Sequence, residues 1–270
     1  MLRSILAVSE GGPDNATPFR LAARVALQFQ SAVDAIYFSW RKPGDVDIAA
    51  QAMPFLADQD KRRLAARAKG TEAAYSALIA GIPGATFTNC NELAKLVDMG
   101  RRSDLIVVGR PVSDPENGAP LNQSTMIHEC ARPVMVAPPN VTAGRFSSVL
   151  VAWNGSRQAA RAAGYALPFL KQADDVTVVV VGGKPDDFGA AMLVGRLGRH
   201  GVTASLDVVD IAAASGRARG RALLGHAKDK KSDLLVMGAY GGGQLAGFLG
   251  LGGATGKVIS SCPIPLVMAH

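Results

Sequence analysis

The residues of this chain best suited to chemistry are glycines near its carboxyl end. They crowd the stretch Gly238 to Gly253, after the apolar run Leu234 to Met237 and before an amphipathic segment from about Thr255 to Ser261. Glycine has no Cβ, so it adopts positive φ and lets neighbouring backbone N–H groups approach an anion closely. A strand, a glycine-rich loop and a helix in this order are typical of a phosphate-binding unit. The stretch therefore predicts an anion site made of main-chain amides.

Two common phosphate-binding motifs do not fit this stretch. A P-loop requires G-x4-G-K-[ST], and Gly256-Lys257 is present, but Leu251 and Val258 stand where the first Gly and the Ser/Thr belong. The dinucleotide fingerprint G-x-G-x-x-G is missing after the first strand of either half, at 9–14 and 153–158. The glycine loop belongs to neither class.

No group of residues indicates catalysis or metal binding. The three cysteines are too few and too scattered for a zinc site or a disulfide framework. The sequence has no HExxH motif, no paired carboxylates at a useful spacing and no serine elbow. We therefore predict no catalytic residue and no metal site. The dispersed histidines are His128, His200, His226 and His270.

Composition suits two domains of ordinary size. The chain has 270 residues, of which 48% are hydrophobic and 19% charged, so it can bury substantial cores. The net charge of +7 suits an anionic ligand, but aromatic residues make up only 6%, and specific nucleic-acid binding is not expected. No apolar run reaches the length of a membrane span and no signal peptide is evident. We expect a cytoplasmic protein without a membrane partner.

Three blocks of sequence occur twice in the same order. Such duplication predicts two domains, 1–139 and 147–270, joined by the Pro- and Gly-bearing linker 138–144. The paired blocks are 4–12 with 148–156, 103–109 with 232–238, and 130–137 with 262–269.

Strands alternate with helices in each half. Continuous apolar runs such as Val176 to Val181 are typical of strands that helices cover on both faces. Long helices are predicted over 53–80, 157–171 and 186–200. The pattern predicts an α/β fold with two tandem, doubly wound parallel sheets, whose ligands bind beyond the carboxyl ends of the strands.

The order strand, G-x2-G-x9-G-[ST], helix, C-x-x-P, strand resembles the universal stress protein family. The segment Gly238-Ala239-Tyr240-Gly241 matches G-x2-G. The later pair Gly252-Gly253 departs from the pattern, because ten residues separate it from Gly241 and Gly253 replaces the Ser/Thr. Taking Gly242 as the second glycine restores that spacing but lengthens the first interval. The resemblance covers both halves and implies the tandem form, with an adenine nucleotide α-hydrolase-like architecture.

The resemblance implies a nucleotide site in the second domain. ATP-binding members lay the triphosphate on the glycine amides and hold the ribose and adenine with an Asp after the first strand and with backbone of the second strand. Those positions correspond here to Asn154 and to Val180 or Val181. Asn154 suits helix capping equally well, and Ser156 is expected to be a cap. The cofactor is expected to be ATP or AMP. The candidate binding residues are Asn154, Gly155, Val181, Gly238, Gly241, Gly242, Gly252, Gly253 and Ala254.

The first half lacks the features of a nucleotide site. After Gly109 it has no G-x2-G, its prolines remove amide donors, and Asp114 and Glu116 would repel phosphate. We therefore predict a degenerate loop in the first domain and nucleotide binding in the second domain only.

Three functions remain open from the sequence. The first is a regulatory, stress-response protein with at most slow ATP hydrolysis, and the second is a ligand-free protein-interaction scaffold. The third is an ATP-using enzyme, since residues 9–15, SEGGPDN, resemble the S-G-G-x-D-S loop of ATP pyrophosphatases. The family resemblance also implies that strands 133–137 and 265–269 pair within the chain as a pseudo-dimer. A further homodimer is an additional expectation.

Overall fold

The structure of the protein is a computed structural model, in which residues 2–12, 15–39, 54–111, 123–211, 215–240 and 254–270 are described. The chain divides into two compact units, Leu2–Arg132 and Pro133–His270. Strand β5 (Val134–Ala137) belongs to the second unit, although the sequence repeat places it at the end of the first copy.

The first unit is a parallel sheet of four strands with interleaved helices. The sheet order is β3-β2-β1-β4. The elements are β1 (Ser4–Ser9), α1 (Thr17–Phe29), β2 (Ala32–Phe38), α2 (Pro54–Leu78), β3 (Thr86–Cys90), α3 (Leu93–Arg102), β4 (Leu105–Gly109) and α4 (Gln123–Glu129).

The second unit repeats this plan with one antiparallel addition. The sheet order is β5-β10-β9-β6-β7-β8, and every neighbouring pair is parallel except β5 with β10. The elements are β5 (Val134–Ala137), β6 (Ser148–Ala152), α5 (Arg157–Tyr165), α6 (Leu167–Leu170), β7 (Asp175–Val181), a 3₁₀ turn (Asp186–Phe188), α7 (Ala190–Arg199), β8 (Ser205–Val209), α8 (Gly216–Asp229), β9 (Leu234–Gly238), α9 (Ala254–Ser261) and β10 (Leu266–Ala269).

The central strands are buried on both faces, as the continuous apolar runs predict. Leu234, Leu235 and Val236 of β9 have no solvent exposure, and neither do Val178 and Val179 of β7. Helices therefore cover both sides of each sheet, and the predicted α/β fold class is confirmed.

Strands β5 and β10 pair antiparallel inside the second unit. The register joins Leu266 to Val136 and Met268 to Val134. This pairing places β5 beside β10, whose other neighbour is β9, the strand that leads into the glycine-rich segment. The predicted pseudo-dimer of the two repeats stays a prediction.

The repeated Ser-Asp pair has a structural role at the amino ends of the first strands. Asp104 accepts hydrogen bonds from the backbone N–H groups of Arg3 (2.8 Å) and Ser4 (3.0 Å). Asp233 accepts from the N–H (2.9 Å) and hydroxyl (3.0 Å) of Ser147. Burial raises the pKa of Asp104, but these backbone bonds and the Ser4 hydroxyl outweigh it and hold the pKa below its usual value. The repeat thus preserves the anchor of each first strand at the edge opposite the predicted site.

Two of the long predicted helices are interrupted. The predicted helix 157–171 is divided at Ala166, because Pro168 has no N–H to continue the hydrogen-bond ladder. The predicted helix 186–200 begins instead with the 3₁₀ turn, and Gly189 at φ 60° separates this turn from α7. The second interruption places Phe188 at the carboxyl edge of the sheet.

Candidate functional site

The candidate site lies at the carboxyl edge of the second sheet. The chain runs outward from β6 through β7 to β8 and then returns to β9 on the other side of β6. A ligand of a doubly wound sheet binds at such a reversal, in the crevice beyond the strand ends. Three segments lead into this edge, 153–156 after β6, 181–183 at the end of β7 and 238–240 at the end of β9.

Asn154 and Ser156 form the start of helix α5. The Ser156 hydroxyl accepts a hydrogen bond from the N–H of Ala159 (3.2 Å), which confirms Ser156 as the helix cap. Asn154 Oδ1 accepts from the N–H (3.2 Å) and from the hydroxyl (2.7 Å) of Ser156. Because Oδ1 faces these donors, the amide Nδ2 of the exposed Asn154 faces away from them. Asn154 therefore supports the cap and still offers a hydrogen-bond donor at the edge.

Val181 extends past the end of the β6 pairing. The last register pair joins Ala152 to Val179, and the Trp153 N–H donates to the Val179 carbonyl at 2.8 Å. Backbone groups alternate in direction along a strand, and the Gly182 N–H accordingly donates to Val209 on β8 (3.0 Å). The N–H and C=O of Val181 thus face the β6 side, level with residue 154 and beyond the end of β6. They are a donor and an acceptor at the edge of the sheet.

Phe188 joins the loops that follow β6 and β7. Its carbonyl accepts a hydrogen bond from the Trp153 indole Nε1 at 2.7 Å. Gly155 has φ 69°, and a Cβ there would lie 3.3 Å from the same carbonyl oxygen. A Cβ on Gly183 would lie 2.5 Å from a ring carbon of Phe188, so the ring packs on the main chain of this glycine. Phe188 is not predicted as a site residue from the sequence, where its only signals are the flanking Pro185 and Gly189.

Gly238 brings the end of β9 against the first turn of α5. A Cβ at this position would lie 2.5 Å from the backbone N of Ala159 and 2.8 Å from the carbonyl carbon of Gln158. At the equivalent Gly109 of the first unit, a Cβ would meet Pro18 Cγ at an ordinary 3.6 Å. The glycine at 238 is therefore required by close packing of strand and helix.

Thr255 connects helix α9 to the end of β9. Tyr240 has a left-handed backbone (φ 54°), and its N–H donates to Thr255 Oγ1 at 3.3 Å. Thr255 is not predicted as a site residue from the sequence. Four predicted site residues, Gly241, Gly242, Gly252 and Gly253, lie outside the described part of the chain. Ala254 begins α9, and only its backbone is described.

Arg219 carries positive charge to the carboxyl edge. A Cβ added to Gly182 would lie 3.4 Å from Arg219 Nε and 2.9 Å from Ile211 Cγ1. Arg219 is exposed on helix α8. Lys257 is directed elsewhere, since its Nζ donates to Ser261 Oγ (3.0 Å) at the opposite end of α9 from the glycine-rich segment. Arg219 therefore places positive charge on the β7 side of this edge.

At the corresponding edge of the first unit, side chains pack on Gly11. A Cβ on Gly11 (φ 70°) would lie 3.1 Å from the ring of Tyr37 and 3.2 Å from Arg67 Cβ. The Ser9 hydroxyl accepts from the Gly11 N–H at 3.3 Å. Four other residues of the first-domain loops lie outside the described ranges: Pro13, Asp14, Asp114 and Glu116.

His226 belongs to an ion-pair cluster on β8 and α8. Its Nε2 lies 2.9 Å from Asp207 Oδ2, and Lys230 Nζ lies 2.8 Å from the same oxygen. The hydrogen bond from Lys230 is the main cause that lowers the pKa of Asp207, against the opposing effect of partial burial. Within the described ranges, no group of three or more His, Cys, Asp or Glu is placed to hold a metal, and no helix is long and apolar enough to cross a membrane.

Comparison with known proteins gives a likeness of fold. No family model and no curated protein matches the chain. A universal stress protein from Archaeoglobus fulgidus DSM 4304 superposes with a TM-score of 0.64 at 17% identity, over 98% of this chain and 97% of that one. A putative universal stress protein from Pseudomonas aeruginosa UCBPP-PA14 gives a TM-score of 0.53 at 15% identity, over 98% and 92%. Both halves of the chain are therefore included in the match.

Proposed function

Because this chain has the fold of the tandem universal stress proteins, we propose that it is a regulatory protein whose second unit binds ATP or AMP. The nucleotide lies along the carboxyl edge of β9, β6 and β7, and the protein signals through its bound state. The first unit holds no nucleotide.

The backbone of Val181 is the observation that carries this proposal. Its N–H and C=O face outward beside β6, and the Asn154 Nδ2 donor lies at the same level. Adenine presents an amino donor next to ring-nitrogen acceptors, which is the complement of one strand's N–H and C=O. The Asn154 amide suits the oxygens of a ribose or phosphate, because it donates where an Asp would only accept.

The order of the strands supports a nucleotide in one orientation. Neighbouring strands lie about 4.8 Å apart, so the ends of β9 and β7 are separated by about 10 Å with β6 between them. An extended nucleoside phosphate spans this distance with its base at β7, its ribose at β6 and its phosphates at the glycine segment after β9. A single phosphate ion would use only one end of the edge.

Charge favours an anionic ligand in the second unit. Residues 133–270 hold 14 of the 29 Lys and Arg residues but only 8 of the 22 Asp and Glu residues, so nearly all of the +7 net charge resides there. Arg219 places part of this charge beside the end of β7. Such a field raises the local concentration of anions and weakens with added salt.

Thermal denaturation of the full chain with ATP and with AMP tests the proposal. A ligand at one hundred times its Kd stabilises the native state by about 2.7 kcal/mol, which raises Tm by roughly 5–10 °C for a protein of this size. Gly252→Asp places a carboxylate in the predicted phosphate loop, and we expect it to abolish the shift. The absence of a shift in the unaltered protein would favour the ligand-free scaffold.

A further inference from the structure

One residue, Phe188, fills the gap between the loops after β6 and β7. Its carbonyl contacts the first loop, through the Trp153 indole and the main chain at Gly155. Its ring contacts the second loop, on the main chain of Gly183. A residue that touches both sides of the gap leaves no room between them for the thickness of a planar base.

Gly155 follows Asn154, and Gly183 lies two residues after Val181, so Phe188 stands beside the groups that the proposed orientation assigns to the ribose and the base. We propose that Phe188 is a gate that occupies the base subsite in this conformation and has to move before an adenine nucleotide binds. This inference rests on the proposed function and adds a regulatory step to it. Affinity for the nucleotide is then set partly by how readily the 3₁₀ turn opens.

The 3₁₀ turn is held by backbone hydrogen bonds within itself and by one side-chain hydrogen bond to the loop after β6. It is three residues long and lies between Pro185 and Gly189, whose left-handed backbone (φ 60°) ends it. Phe188 is only half-buried, and its carbonyl accepts one side-chain hydrogen bond, from the Trp153 indole. A short segment with one such bond and little buried surface opens locally at low cost, without unfolding of the sheet.

Removing the ring is expected to strengthen nucleotide binding. When only a fraction of molecules is open, the apparent Kd equals the intrinsic Kd divided by that fraction. We expect Phe188→Ala to lower the apparent Kd for ATP about tenfold, which corresponds to about 1.4 kcal/mol. Met192→Ala is the matched control, because this side chain is also large and apolar, is 79% exposed and follows closely on α7. The apparent Kd of Met192→Ala for ATP should equal that of the unaltered protein.

Trp153 reports the position of the gate directly. The chain has two tryptophans, so Trp40→Phe leaves Trp153 as the single indole fluorophore. In this background ATP should change the Trp153 emission, since opening removes the hydrogen bond from its Nε1 to Phe188. With Phe188→Ala added, the emission should already differ before ATP is present, and ATP should change it little further.

Calorimetric titration of the full chain with ATP completes the test. Trp153→Phe removes only the indole donor, so a several-fold lower Kd in this variant supports the gate even if Phe188→Ala does not fold. Equal Kd values in the unaltered protein, Phe188→Ala and Trp153→Phe, with unchanged Trp153 emission, overturn the gate and leave the proposed function intact. Weaker binding by Phe188→Ala also overturns it, because the ring would then be a platform for the base. No ATP binding by any of these proteins overturns the proposed function and the gate with it.

Discussion

Substitution of Gly238 by alanine tests the close packing of β9 on α5. The new Cβ would lie 2.5 Å from the backbone N of Ala159, against an ordinary contact of about 3.4 Å, so strand and helix must separate by nearly 1 Å. The atoms it meets are main-chain atoms of the first turn of α5, which the Ser156 cap and the supporting Asn154 hold in place. Neither side can give way by a simple rotamer change.

The expected cost follows from overpacking of this kind, which is typically about 1–3 kcal/mol. Because the contact is with backbone, we place Gly238→Ala at the upper end, with a fall in Tm of roughly 5–10 °C by differential scanning calorimetry. Separation also moves Asn154 relative to Val181, so ATP affinity should fall as well.

Gly109→Ala is the matched control for Gly238→Ala. The two glycines are equivalent in the repeat, but among the described residues a Cβ on Gly109 meets nothing closer than Pro18 Cγ at 3.6 Å. Its Tm should stay within about 2 °C of the unaltered protein. Equal Tm values for the two alanine variants would refute the packing argument and leave only an anion-binding reason for the glycine at 238.

Three further substitutions test the cap, the strand anchor and the charge. Ser156→Ala removes the acceptor for the Ala159 N–H and should lower the free energy of unfolding by about 1 kcal/mol in urea titrations, whereas Ser156→Asp should retain most of it. Asp104 has a lowered pKa in the folded state, so its stabilising effect is present above the unfolded value near 3.9 and is lost as the pH falls through the folded value. Tm measured between pH 3 and pH 7 should accordingly vary less in Asp104→Asn. Arg219→Gln should weaken ATP binding and reduce its salt dependence without changing Tm, and an unchanged salt dependence would remove Arg219 from the site.

The order of the elements could be predicted from the sequence because the strands are strongly apolar. The apolar run Val176 to Val181 predicts strand β7, and the strand ends at Val181 as the run does. The repeat of Ser103-Asp104 at Ser232-Asp233 identifies the duplication but does not show why the Ser-Asp pair is kept. Nothing in the local sequence indicates that each carboxylate binds the start of a strand about 100 residues earlier in the chain. Such an anchor becomes visible only when the sheet is assembled.

The site was only partly predictable, because several of its contacts join residues that are distant in the sequence. Ser156 as a cap follows from its place before a helix, and the structure confirms it. Phe188 was missed because helix periodicity continues across 186–200, and a single 3₁₀ turn between Pro185 and Gly189 leaves little trace in that pattern. The sequence predicts Gly238 as an anion-binding residue, which stays a prediction, and the structure adds a packing role against Ala159 that depends on a helix about 80 residues earlier in the chain.

The stoichiometry of ATP binding to the full chain tests the central claim most directly. Isothermal titration calorimetry should give one ATP per chain for the unaltered protein and for Gly118→Asp, a carboxylate placed in the corresponding loop of the first half. Gly252→Asp should bind none. A stoichiometry of zero or two in the unaltered protein, or loss of binding in Gly118→Asp with retention in Gly252→Asp, would contradict a nucleotide site confined to the second unit.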